Sequence, residues 1–236
     1  TKTKKVIPWN RDVLVKGGIA FGLTKKNFIP GENALIWLHN PTVKELEFEW
    51  TAKVKKDGEI MSMAAGSFTS TIDGTSTISF AMPNRLKTID GDYQVVVDFK
   101  EKATGNIYQL NEKINIVGVI KMGLKEATAS AGGNIELLFS NQGIGSKSFN
   151  ADIGLVDLDG IRVSSSSLAL SIAGLGSSSV LLSIPGYAKS GIYSLKIDCR
   201  DEFSDILSFY EDLSISGVEA DLEVSLDRFA YLPGEE

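Results

Sequence analysis

Apolar and polar residues alternate along most of this chain with a period of two. In "ELEFEWTAKV", Leu46, Phe48, Trp50, Ala52 and Val54 alternate with Glu45, Glu47, Glu49, Thr51 and Lys53. That is the signature of a strand with one face on a core and the other toward water. The same pattern returns as Phe149, Ala151, Ile153 and Leu155, and again as Tyr193, Leu195, Ile197 and Cys199. Between such runs stand "KKDGE", "TIDGT", "KATGN" and "DLDG". Gly, Asp and Asn tolerate positive φ or hydrogen-bond their own backbone, so these clusters predict turns. No stretch of a dozen residues carries a helical stripe, so the pattern predicts an all-β protein.

The pattern also repeats at long range. "GLTKKNFIPGENALIWLHNP" from residue 22 lies over "GLKEATASAGGNIELLFSNQ" from residue 123 without a gap. Downstream, "DGDYQVVVDFK" lies over "KSGIYSLKIDCR", and "KINIVG" ending at Gly118 lies over "DLSISG" ending at Gly217. A period near 100 is too long for a solenoid and suits a whole small domain. About seven short strands in roughly 100 residues is the count of an immunoglobulin-like sandwich. The expectation is therefore two tandem immunoglobulin-like β-sandwich domains, residues 18–118 and 119–218. Partial copies frame them. "DVLVKGGIAFGL" at 12–23 matches 113–124, so residues 1–17 read as the end of a preceding repeat or as a donor or linker strand. "VSLDRFAYLPGEE" matches "FGLTKKNFIPGEN", so 219–236 read as the first strand of a third, truncated repeat. The whole reads as a window on a longer array.

The phrases "NFIPGENALIWLHNP", "FAYLPGEE", "DGDYQVVVDF" and "SGIYSLKIDC" resemble the repeats of prokaryotic cell-surface and secreted proteins, of the macroglobulin-like and CARDB-like kinds. Those open with an aromatic-x-Pro-Gly-Glu turn, continue into a strand ending in Asn, and carry Gly-x-Tyr before a late strand. The second unit departs from this, with Ala131-Gly132-Gly133 in place of Pro30-Gly31-Glu32. No thioester sequence is present, so protease-trapping chemistry does not transfer. The resemblance implies an extracellular or cell-surface setting. Proline presets one corner of the Pro30-Gly31 turn and glycine supplies the other.

Composition narrows function mainly by exclusion. The 236 residues carry a formal charge of −6 and no basic patch with interleaved aromatics, which argues against nucleic acid. Charge is uneven. Residues 1–118 hold 16 Lys and Arg against 13 Asp and Glu, a difference of +3, and residues 119–236 hold 8 against 17, a difference of −9. Such asymmetry suggests head-to-tail attraction between chains, and the expected partners are neighbouring repeats of the same chain or other subunits, as in a homo-oligomer. No apolar run reaches the length of a transmembrane helix. One histidine and one cysteine leave no support for Ser-His-Asp, Cys-His or multi-histidine metal chemistry, so no enzyme and no cofactor is expected. Cys199 reads as core packing.

Two sets of residues remain as candidates. Leu35, Trp37 and His39 align with Glu136, Leu138 and Ser140, whereas Ala34, Ile36 and Leu38 align with the apolar Ile135, Leu137 and Phe139. The first row should therefore point outward as a contact patch, unless a loop or neighbouring element covers it. Asp157 and Asp159 in "DLDG", with the acidic series Asp198, Asp201, Glu202 and Asp205, offer oxygen ligands for calcium. The same "DLDG" also makes an ordinary hairpin turn. The serine runs 164–167 and 177–179 read as solvent-facing strand or as O-glycan acceptors, and "NPT" at 40–42 has proline in the position that blocks N-glycosylation. The expected function is a non-catalytic structural or adhesive repeat region acting as a rigid spacer, able to self-assemble into a surface layer or filament. The alternative is a pair of accessory domains of a secreted hydrolase whose catalytic part lies outside this segment.

Overall fold

The structure, a computed structural model, describes residues 14–16 and 18–217. The assignments of 1–13, 17 and 218–236 to neighbouring repeats lie outside the described residues. Among the described residues all regular elements are strands. The first unit contains β1 (Leu14–Lys16), β2 (Ile19–Leu23), β3 (Asn27–Phe28), β4 (Asn33–Asn40), β5 (Leu46–Lys56), β6 (Glu59–Ser70), β7 (Gly74–Ala81), β8 (Gly91–Glu101) and β9 (Ile107–Ile116). The second contains β10 (Ile120–Leu124), β11 (Thr128–Ser130), β12 (Asn134–Asn141), β13 (Lys147–Val156), β14 (Arg162–Ile172), β15 (Ser177–Ser183), β16 (Gly191–Arg200) and β17 (Ile206–Ser216).

Each unit is a sandwich of two sheets. The first pairs β1-β2-β4-β7 against β3-β9-β8-β5-β6, and the second pairs β10-β12-β15 against β11-β17-β16-β13-β14. In both, the opening strand is split: β2 and β10 join the smaller sheet, then β3 and β11 cross to run parallel to the last strand of the other. This is the all-β, tandem-sandwich class that the alternation predicts. The two arrangements differ at one edge. β1 pairs antiparallel with β2, Leu14 opposite Phe21 and Lys16 opposite Ile19, and β10 has no such neighbour among the described residues.

The cores follow the alternation. Phe48, Ala52 and Val54 of β5 lie beside Val95, Val97 and Phe99 of β8 on the inner face of the larger sheet in the first sandwich, and Ala151, Ile153 and Leu155 of β13 lie beside Leu195, Ile197 and Cys199 of β16 in the second. Trp50 is only half-buried, its ring lying over Gly66 on β6, where a Cβ would come within 2.9 Å. Cys199 is fully enclosed, and desolvation pushes its thiol up to about 12.

Two polar devices recur in both units. Asn40, buried, donates from Nδ2 to the carbonyls of Lys44, Ser70 and Thr71 and accepts at Oδ1 from the N–H of Thr42. Asn141 does the same for Gly145, Ile172, Ala173 and the N–H of Gly143. A single buried amide thus ties the loop that follows β4 or β12 to the turn that follows β6 or β14. At the opposite end, the Tyr93 and Tyr193 hydroxyls donate to the carbonyls of Ile89 and Lys189, four residues upstream, at 2.8 and 3.0 Å. That tyrosine corner fixes the loop leading into β8 and β16.

Candidate functional site: the junction between the sandwiches

The turn that opens the first repeat is a type II turn. Gly31 has φ +79°, and Glu32 donates back to the carbonyl of Ile29. The second repeat keeps the geometry with Ala131 in the proline position, because Gly132 retains φ +76°. Glycine is the requirement here and proline only a stiffener. The first of these turns does more than reverse the chain. The carbonyl of Pro30 accepts a hydrogen bond of 3.0 Å from the N–H of Ile144, in the loop between β12 and β13 of the other sandwich.

Around that bond the loop from Pro83 to Asp90, between β7 and β8, meets the end of the second sandwich. Leu86, almost fully buried, belongs to the apolar core of the second sandwich although it comes from the first. Arg85 donates from Nε and an Nη to the two oxygens of Asp205, both at 2.8 Å, and its guanidinium lies 5.6 Å from the centroid of Phe203. Asp205 is 9% exposed and the Arg85 side chain 45%. The bond is thus buried on the acidic side and open to water on the basic side. Lys147 Nζ donates to the carbonyl of Asn84, and burial pushes its ammonium below the usual lysine range while Asp201 pulls it back up. The bidentate pair crosses between the units, Arg85 coming from the first and Asp205 from the second.

Gly143 shows how tightly the surfaces fit. A Cβ there would lie 2.6 Å from Asn84 Oδ1 and 3.3 Å from the Pro30 side chain. The equivalent residue in the first repeat is Thr42, whose hydroxyl instead bonds Asn40 at 2.6 Å. The linker itself is pinned. Gly118 N donates to Asp90 Oδ1 at 2.8 Å, Val119 N donates to the Thr88 carbonyl at 2.8 Å, and the Val119 carbonyl accepts from Gln142 N. Gly217 is held in the equivalent way at the far end, with its N–H on the Ser190 hydroxyl at 2.9 Å.

The residues proposed from sequence lie elsewhere. Leu35 is 42% exposed, while Trp37 and His39 are half-buried on the outer face of β4. The Trp37 indole lies over Gly22 of β2, 3.0 Å from where a Cβ would be. His39 Nδ1 sits 3.4 Å from the Thr75 hydroxyl and Nε2 3.5 Å from Asp73. The row is therefore partly covered by its own sheet. Asp157 Oδ1 accepts from the N–H groups of Asp159 and Ile161, closing the hairpin turn between β13 and β14 beside a shallow hollow of about 320 Å³. Asp201 Oδ1 similarly accepts from Phe203 and Asp205 N–H, and Asp198 bonds Ser208 and Lys196. Among the described residues no group of three or more His, Cys, Asp or Glu is placed to hold a metal ion.

Arg85, Leu86, Gly143 and Lys147 were not singled out by the sequence pattern, and Asp205 was singled out as an oxygen ligand for calcium, not as the partner of Arg85. Their one signal is that the repeats disagree there: Asn84-Arg85-Leu86 stands over Gly186-Tyr187-Ala188. No known protein family matches the chain, and no curated protein matches it in sequence. Among solved structures it is similar to red sea bream transglutaminase, with 9% identity and a TM-score of 0.39 over 85% of this chain. The chain spans 31% of that structure's length.

Proposed function

We propose that the chain is a non-catalytic, rigid spacer: two immunoglobulin-like repeats of a cell-surface or secreted protein, locked end to end by the junction around Leu86 and the Arg85–Asp205 pair. The observation that carries this reading is the burial of Leu86 in the second core. A side chain from one sandwich that fills the other makes bending costly, because any hinge motion would expose it. Supporting it are the pinned linker at Gly118 and Val119 and the bidentate charge-assisted bond, which sets orientation as well as distance. The recurrent Asn40/Asn141 and Tyr93/Tyr193 devices, and the split opening strand, support the immunoglobulin-like assignment and the repeat character.

Small-angle X-ray scattering combined with NMR residual dipolar couplings tests the proposal. A single alignment tensor for both sandwiches, and a scattering curve matched by one rigid shape, is the expected result. Two independent tensors would sink it.

A further inference from the structure

We infer that the hollow beside the hairpin turn between β13 and β14 is a binding site for a neutral saccharide, with Tyr187 as its stacking platform. The hollow encloses about 320 Å³, between the turn residues Asp157 to Asp159 and the loop that runs from Tyr187 into β16. The Tyr187 ring is 77% exposed, yet it is held in place. Its hydroxyl donates to the carbonyl of Val163 at 3.0 Å, and its loop is closed by the Ala188 N–H on the Pro185 carbonyl at 3.1 Å. A large ring left open to water adds little to folding. Fixed in advance, it loses little entropy when a ligand settles on it.

The first repeat shows the same place without such a platform. Counted back from the corner tyrosines, Tyr93 and Tyr193, Lys87 stands where the second repeat has Tyr187. Lys87 reaches across to Glu59 at 2.6 Å, and Lys56 Nζ lies 4.6 Å from the centroid of the Tyr93 ring. The hollow there, about 260 Å³, is lined by Lys55, Asp57, Asp92 and Lys113. In the second repeat the strand register puts Asp157 in the place of Lys56, and Asp157 Oδ1 is taken up by its own turn. Leu158 and Ile192, 81% and 53% exposed, line the hollow with Tyr187. The fold forms with a charged lining in one repeat, so the aromatic and aliphatic lining of the other is not a requirement of folding.

The hollow offers an apolar ring face together with an acceptor and a donor, the exposed Asp159 carboxylate and Lys189 ammonium. A sugar ring matches all of these. Its weakly positive C–H bonds lie on the negative face of an aromatic ring, and its hydroxyls donate to a carboxylate and accept from an ammonium. An anion would meet Asp159 and a cation Lys189, which favours a ligand without charge. Size agrees as well. Ligand cavities run from about 300 to 1,000 Å³, whereas a stable protein partner needs roughly 1,000 Å² of buried surface. A short saccharide suits a hollow at the small end of that range.

NMR titration of the intact chain with cellotriose, chitotriose and mannotriose tests this. At least one of them should shift the amides of Asp159, Tyr187 and Ile192 saturably, and saturation of the protein should transfer to the sugar ring protons. Tyr187→Ala should weaken that binding at least tenfold. Tyr187→Phe keeps the ring and loses only the bond to Val163, so it should weaken binding less. No shift with any of the sugars, or binding unchanged in Tyr187→Ala, overturns the inference. Shifts at the same amides with the blocked peptide acetyl-Leu-Val-Leu-amide and none with the sugars also overturn it, and assign the hollow to a protein segment. The Ile144 amide, bonded to Pro30, reports separately on the junction, so the rigid-spacer reading stands or falls independently.

Discussion

Arg85 and Asp205, 120 residues apart in sequence and in different sandwiches, face each other through two parallel hydrogen bonds of 2.8 Å. The pair is asymmetric in exposure, and that asymmetry sets the outcome of mutating each partner. Arg85→Ala leaves a nearly buried carboxylate without its counter-charge and should cost the second sandwich about 1–3 kcal/mol. Asp205→Ala leaves a guanidinium that can turn into water and should cost less. Chemical denaturation of both variants, with interdomain couplings by NMR, checks the order; equal losses would contradict the burial asymmetry.

Leu86→Ala removes apolar volume from the core of a domain to which the residue does not belong. A buried leucine truncated to alanine typically loses about 2–5 kcal/mol. The expected result is a lower unfolding midpoint for the second sandwich and a loosened junction. A loss confined to the first sandwich, by residue-resolved exchange, would show that the side chain stabilises only its own unit.

Gly143→Ala should open the junction while leaving both sandwiches folded, because the added Cβ meets Asn84 and Pro30 across the interface. The Ile144–Pro30 hydrogen bond should lengthen or break, seen as faster exchange of the Ile144 amide. Unchanged exchange would mean that the surfaces can part by a few tenths of an ångström at no cost.

Gly22→Ala and Gly123→Ala form a matched pair. The first places a methyl 3.0 Å from the Trp37 ring and should displace the indole at a cost of about 1–3 kcal/mol, with a shift in tryptophan fluorescence. The second meets nothing within 4 Å and should be close to neutral. Equal effects would point to strand propensity in place of the ring contact.

Cys199 gives a pH dependence with a definite sign. Its thiol is held up to about 12 in the folded protein, against an ordinary value near 9. Between those values the unfolded chain releases a proton that the native state keeps, so this group lowers stability as pH rises from about 9 toward 12, by at most about 1.4 kcal/mol per unit. Cys199→Ala should flatten that part of the stability–pH curve. The native thiol should also resist alkylation at pH 8 and react once the chain is unfolded.

The alternation of apolar and polar residues determined the strands, their inward faces and the twofold repetition. Those properties depend on a local period of two and on similar sequences burying similar faces. Ala34, Ile36 and Leu38 are buried as their spacing requires, and Gly31 and Gly132 turn the chain through the same left-handed corner. The alternation could also say that Trp37 points off the core side of β4, but not that Gly22 lies beneath its ring. That contact depends on the register between β2 and β4. The junction was decided only by tertiary structure. Arg85, Leu86 and Asp205 lie in loops, where no period marks a side chain as buried. Their partners are brought opposite them by the short, pinned linker at Gly118, and a loop leucine acquires a core only when a second sandwich is set against it.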